Sequence, residues 1–120
     1  MGGTVAVKPK VEQQLKAAGI AVAGRKWGQT GWETSRAIAD WGLELGLSAD
    51  GMGYATSLRF PDALAGAALL GNQGSVLLLA DQATQGNLSF STSHTSEMTH
   101  GFVFGGSSAF SDECFARLAR

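Results

Sequence analysis

Cysteine is nearly missing from this chain. Cys114 stands alone, which excludes an internal disulfide framework and a zinc site built on cysteines. Within the apolar pattern around it, Cys114 reads as a small buried hydrophobe. Proline occurs only as Pro9 and Pro61; each opens a helical pattern, where a preset φ and a missing N–H do no harm. Charge is sparse and balanced, nine basic against ten acidic residues for a net charge of −1. The chain therefore lacks the basic face by which a nucleic acid or an anionic membrane surface is held. No apolar run approaches the roughly 18 residues of a membrane span. Met1-Gly2-Gly3 has none of the charged, apolar and small-residue regions of a secretory signal.

The usual signatures of catalysis are missing too. No Gly-x-Gly-x-x-Gly follows the first strand pattern, and there is no Walker loop. The acidic residues have no spacing that suits a two-carboxylate metal site. His94 and His100 lie in a polar stretch with no third ligand nearby, where solvated loop residues are expected rather than a metal centre. Ser35, Ser57 and Ser111 have no nucleophile-elbow pattern around them. A non-enzymatic domain without cofactor or metal is expected, and Asn87-Leu88-Ser89 reads as a chance glycosylation match.

What is present fills one domain: 120 residues bury roughly two-thirds of their unfolded surface. Lys8-Pro9-Lys10 opens a helix with Val11, Leu15 and Ala18 on one face, stopped at Gly19. Residues 20–23 are a short apolar strand candidate, and residues 24–31 a loop carrying Arg25, Lys26 and Trp27. The longest helix runs from Trp32 to about Leu45, with Ile38, Ala39, Trp41, Gly42 and Leu45 in one stripe and Trp41 in the core. Turn residues 46–51 lead into a strand, Met52 to Ala55, and a helix from Pro61 to Leu70 ends at Gly71. Ser75 to Ala80 is continuously apolar and is expected at or near the centre of a parallel sheet covered on both faces.

Residues 82–100 are polar and read as a long, partly irregular connection with a turn of helix near Thr95 to Met98. A strand over residues 101–104, a tight loop over 105–108 and a helix capped by Ser111 or Asp112 and reaching Leu118 complete the chain. The alternation predicts a three-layer α/β domain with a four-stranded, mainly parallel sheet.

Ligands of such sheets bind where strand C-termini meet helix N-termini. Residues 55–65 form that junction, with Thr56, Ser57, Arg59 and Asp62 as the first candidates. Pro61 and Asp62 also suit a plain helix start. Arg59 is favoured because backbone donors at a helix N-terminus face an anion as well. Lys8, Lys10, Arg25, Lys26 and Arg36 add positive charge, with scattered surface charge as the plain reading of Lys8, Lys10 and Arg36.

The chain also repeats itself. Gly2-Gly3-Thr4-Val5-Ala6-Val7 before a helix matches Gly105-Gly106-Ser107-Ser108-Ala109-Phe110 before another, and Gly2 and Gly105 stand 103 positions apart. Such spacing is the mark of a tandem array, with a chance match of two Gly-Gly turns before helices as the plain alternative.

Four motifs follow in order: Gly28-Gln29-Thr30-Gly31-Trp32-Glu33-Thr34-Ser35; Ala55-Thr56-Ser57-Leu58-Arg59-Phe60-Pro61-Asp62-Ala63-Leu64-Ala65; Gly74-Ser75-Val76-Leu77-Leu78-Leu79-Ala80-Asp81; and Phe102-Val103-Phe104-Gly105-Gly106-Ser107-Ser108-Ala109-Phe110-Ser111-Asp112. With them the segment from Gly24 to Arg120 resembles the type 2 cell wall binding repeat of Gram-positive surface proteins. Three positions depart from the family pattern: Gly31 stands where the family has Arg, Trp32 where it has Tyr, and Ser57 where it has Gly.

The resemblance implies a Rossmann-like unit, normally in three tandem copies about a pseudo-threefold axis, that anchors a secreted protein non-covalently to an anionic glycopolymer of the cell wall or surface. Residues 1–19 are then the tail of a preceding repeat and residues 20–120 one repeat. The polymer is expected at the loops after residues 55, 79 and 104, which carry Thr56, Ser57, Arg59 and Asp62, then Asp81, then Gly105 and Gly106. Other copies are the second expected partner, as a homotrimer or a tandem pseudo-trimer, with Trp27 and Trp32 as anchors between units. A small nucleotide- or sugar-phosphate-binding enzyme domain and a structural, trimer-forming spacer are the alternatives.

Overall fold

The computed structural model describes residues 1–81 and 85–118. The first helix, α1 (Pro9–Ala17), starts at the proline, carries a Lys16–Glu12 ion pair of 3.0 Å along its surface, and gives way to Gly19 at φ +79°. α2 (Gly31–Glu44) is fixed at its start by a reciprocal capping box: Thr30 Oγ1 accepts from Glu33 N, and Glu33 Oε2 accepts from Thr30 N. Gly28 lies so close under this turn that a β-carbon there would stand 2.8 Å from the carbonyl carbon of Glu33.

β1 (Ser48–Ala55) is the central strand of a three-stranded parallel sheet, flanked by β2 (Ser75–Leu79) and β3 (Gly101–Phe104). Its register sets Tyr54 against Leu78 on one side and Val103 on the other, and Ala55 against Leu79 and Phe104. All three strands thus end on one rim. Met52, Tyr54, Val76 and Leu78 on one face form the core with Ala39, Phe90, Phe110 and Cys114, with Val103 partly buried against it. On the other face Gly53 lies under Leu70 and Phe104, and so under α3 (Phe60–Gln73). α4 (Gln85–Ser93) packs on α2 and on α5 (Asp112–Leu118). Burial pushes the Tyr54 hydroxyl and the Cys114 thiol above their ordinary pKa values.

Several expectations need correction. The sheet has three strands among the described residues, not four, because residues 20–23 pair with nothing and Ile20 is 51% exposed. The strand at Ser75 is an edge strand: its unbroken apolar run reflects cover by α2 and α3 on its two faces, not a central place. β1 starts at Ser48 inside the expected turn, with an irregularity between Ser48 and Gly53 that Gly51 at φ +72° accommodates. α3 runs past Gly71 to Gln73, and Gly74 at φ +70° is its left-handed stop. The polar connection contains helix α4, which was not expected, beside the expected turn of helix, a 3-10 turn at Thr95–Glu97; Trp41 is half-buried beneath Lys26 Nζ, 5.4 Å from its ring centre, rather than in the core.

Asp50 ties β1 to the approach of β3. Its Oδ1 accepts from Thr99 N at 2.7 Å and Thr99 Oγ1 at 2.9 Å, with His100 Nδ1 at 3.4 Å. Thr99, through backbone and side chain, and then the nearby His100 hold this carboxyl below the usual range. A lowered folded-state pKa gives stability that is complete above the ordinary carboxylate pKa of about 3.9 and lost as pH falls through the folded value. Asp50→Asn is therefore expected to be less stable than the wild type at pH 7, with the gap closing toward pH 2. Urea unfolding of both proteins across that range checks it.

Candidate functional site

The loops leaving the common rim carry the candidate residues. After β1, Thr56 turns inward: it is 1% exposed, and its Oγ1 accepts from Leu58 N at 3.2 Å. Its part is to shape the turn. Ser57 Oγ donates to Asp81 Oδ2 at 2.8 Å, and the indole Nε1 of Trp32, from the first turn of α2, donates to the same oxygen at 3.1 Å. One carboxylate oxygen, on the loop after β2, thereby joins three of the four motifs.

The fourth motif closes the site. Trp32, Leu58 and Asp81 share an open cleft of about 490 Å3 with the run Ser107 to Ser111. Gly105, at φ +113°, lets Asp62 come against this turn: Asp62 Oδ2 lies 2.9 Å from where a β-carbon at Gly105 would stand. Gly106 is exposed beside it, and Arg59 is exposed at the N-cap of α3, outside the lining of the cleft. Ser111 Oγ caps α5 by accepting from Cys114 N at 3.2 Å.

Behind the rim a polar chain holds the frame. Asn87, 3% exposed, donates through Nδ2 to Leu79 O and to Trp32 O, and Ser35 Oγ accepts from Leu79 N at 3.1 Å. Ser91 Oγ donates to Asn87 O and accepts from Tyr54 Oη at 2.8 Å. Asn87 is thus committed to the end of β2 and closed to a glycan. Ser35, whose hydroxyl donates to Trp32 O, fixes the backbone that carries the tryptophan.

Other candidates fall elsewhere. Arg25 is turned to the carbonyls of Gly2 and Val7, Lys26 lies over Trp41, and the Arg36 guanidinium stands 5.6 Å from the Phe90 ring centre. Trp27 is 51% exposed and its ring lies against Gly3 of the N-terminal segment, whereas Trp32 is bonded to Asp81. His94 pairs with Glu97 at 2.8 Å and His100 with Asp50. Among the described residues no three His, Cys, Asp or Glu side chains converge on a metal position, and no helix is long and apolar enough to cross a membrane.

Leu58, Ser107 and Ser108 were not among the expected site residues. Leu58 carries no polar group, and Ser107 and Ser108 follow a Gly-Gly pair that reads as a tight turn. The place of the family's Arg is open: among the described residues a β-carbon at Gly31 would meet only Leu79 Cδ1, at 3.7 Å. What the cleft offers is two aromatic residues, Trp32 and Phe110, a carboxylate and several hydroxyls, apolar faces with a donor and acceptor set suited to sugars. A family model, cell wall binding domain 2, matches residues 25–115. Neither the curated proteins nor the solved structures yield a match to the chain.

Proposed function

The chain belongs to the cell wall binding domain 2 family, and from that premise we propose that it is a non-covalent anchor that holds an anionic glycopolymer of the cell wall in the cleft at the strand ends. The observation that carries this reading is the convergence of Trp32 and Ser57 on one carboxylate oxygen of Asp81 beside the Ser107–Ser111 turn. An indole pinned through its N–H presents a fixed face to a sugar ring, and the serine hydroxyls can exchange hydrogen bonds with its hydroxyl groups. Arg59, exposed at the rim with no ion pair among the described residues, supplies the charge for the anionic group of the polymer. The protein then works at the cell surface.

Copies of the repeat are the second partner in this reading. Phe60 and Leu64, one helical turn apart on α3, are 78% and 68% exposed, which supports packing between units as a homotrimer or a tandem pseudo-trimer.

The test is co-sedimentation with wall sacculi before and after their anionic polymers are stripped, with the protein's mass measured by light scattering. The domain is expected to pellet with intact sacculi and to stay in solution with stripped ones. Retention that survives stripping would exclude the polymer as ligand. Arg59→Ala is expected to weaken retention several-fold and to reduce its dependence on salt.

A further inference from the structure

The N-terminal segment and the segment after β3 share more than a sequence pattern. Gly2 has φ +93° and Gly105 φ +113°. Val7 N donates to Gly3 O at 2.9 Å, and Phe110 N donates to Gly106 O at 2.9 Å. The helices that follow start at Pro9 and at Asp112. Every one of these features keeps the 103-residue spacing, so the two segments are copies of one backbone device.

In the first copy that device is covered. Arg25 Nη1 donates to Gly2 O at 2.9 Å and to Val7 O at 2.8 Å, and Gly2 N donates to Lys26 O at 3.0 Å. The ring of Trp27 lies on Gly3, its Cε3 3.1 Å from where a β-carbon would stand. Gly3 is therefore small because an indole sits on it. In the second copy Gly106 has the same place but no described atom within 4 Å and no positive φ. Nothing in the described part of this chain calls for glycine there.

We infer that the Gly105–Phe110 turn is a docking surface for the Arg25–Trp27 loop of a second copy of this repeat, and that residues 1–19, seated on that loop here, are the corresponding tail of a preceding repeat. The guanidinium spans the carbonyls of Gly105 and Phe110, and the indole covers Gly106. One contact is not repeated: the position of Glu12, which lies 3.5 Å from Arg25, is taken by Phe115 in the second copy. The joint therefore rests on the carbonyls and the indole, and is weak for a free segment but effective in an array, where the neighbour is present at high local concentration. This inference rests on the reading of repeat copies as partners; its turn overlaps the Ser107–Ser111 wall of the cleft, but the wall polymer takes no part in its test.

The probe is an acetylated peptide of residues 20–31, added to the full chain and followed by amide chemical shifts. Saturable shifts are expected at Gly105, Gly106 and Phe110. They should weaken at least tenfold when the peptide carries alanine for both Arg25 and Trp27, a change that leaves the protein untouched. Gly106→Val in the chain should have the same effect, since open space surrounds that position. Absence of shifts at residues 105–110, or shifts confined to Gly2–Val7, would overturn the assignment, as would binding indifferent to the peptide's Arg and Trp.

Discussion

Asp81→Ala is expected to cost this domain more than tenfold in retention on intact sacculi. Oδ2 of Asp81 accepts from Trp32 Nε1 and from Ser57 Oγ at 3.1 and 2.8 Å, and both donors are partly shielded from water. Hydrogen bonds to a charged acceptor contribute about 1.5–3 kcal/mol each when buried and less at a cleft, so a stability loss of roughly 1–3 kcal/mol is expected as well. The two effects separate with conservative variants. Asp81→Asn keeps, in its amide oxygen, an uncharged acceptor for both donors and should stay within about threefold of the wild type in retention. Trp32→Phe keeps a ring but frees it to turn, and should lose retention while costing about 1 kcal/mol or less in stability. Binding isotherms on sacculi, read beside urea unfolding, check the series. A variant that loses stability but retains full binding at a temperature where it is folded would remove the cleft from the function.

The parts of the fold that were legible in the sequence are those made by apolar burial and caps. Pro9, Pro61 with Asp62, and Ser111 each mark a helix start that the structure bears out. Helix α4 was not legible, because its inner face carries Asn87 and Ser91 beside Phe90. Such a face is buried through hydrogen bonds to Leu79 O and Tyr54 Oη, and apolar periodicity does not register it. Position in the sheet was misread for a related reason: an edge strand between two helices is as apolar as a central one. At the site, the loops after all three strands were legible from topology alone. The bond from Trp32 to Asp81, 49 residues apart, depends on how far α2 leans over the rim, and no local pattern carries that.

Gly66→Ala is expected to destabilise the domain, although alanine is the better helix former. A β-carbon at Gly66 would stand 2.4 Å from Cδ2 of Phe104 and 2.7 Å from Cγ and Cε2 of the same ring. The ring has little freedom to withdraw from α3, because on the β1 side a β-carbon position at Gly53 is 2.7 Å from Cε2 and 2.3 Å from Leu70 Cδ1. Phe104 is thus held between two glycines, one on the helix and one on the central strand, and they let α3 lie close on the sheet. Overpacking of this kind costs about 1–3 kcal/mol, against a gain of up to about 1 kcal/mol in helix propensity.

Gly71→Ala, in the same helix but with no described atom within 4 Å, receives the propensity gain alone and should be stabilised by about 0.5–1 kcal/mol. The opposite signs exclude propensity as the common cause. Phe104→Leu in the Gly66→Ala background should recover part of the loss, and the coupling between the two substitutions should exceed about 0.5 kcal/mol. Thermal unfolding of the two single variants, of Phe104→Leu and of the double variant measures both terms. If Gly66→Ala proves as stabilising as Gly71→Ala, α3 must have room to move off the sheet, and the rim that Phe104 and Ala55 share would then be free to shift with it.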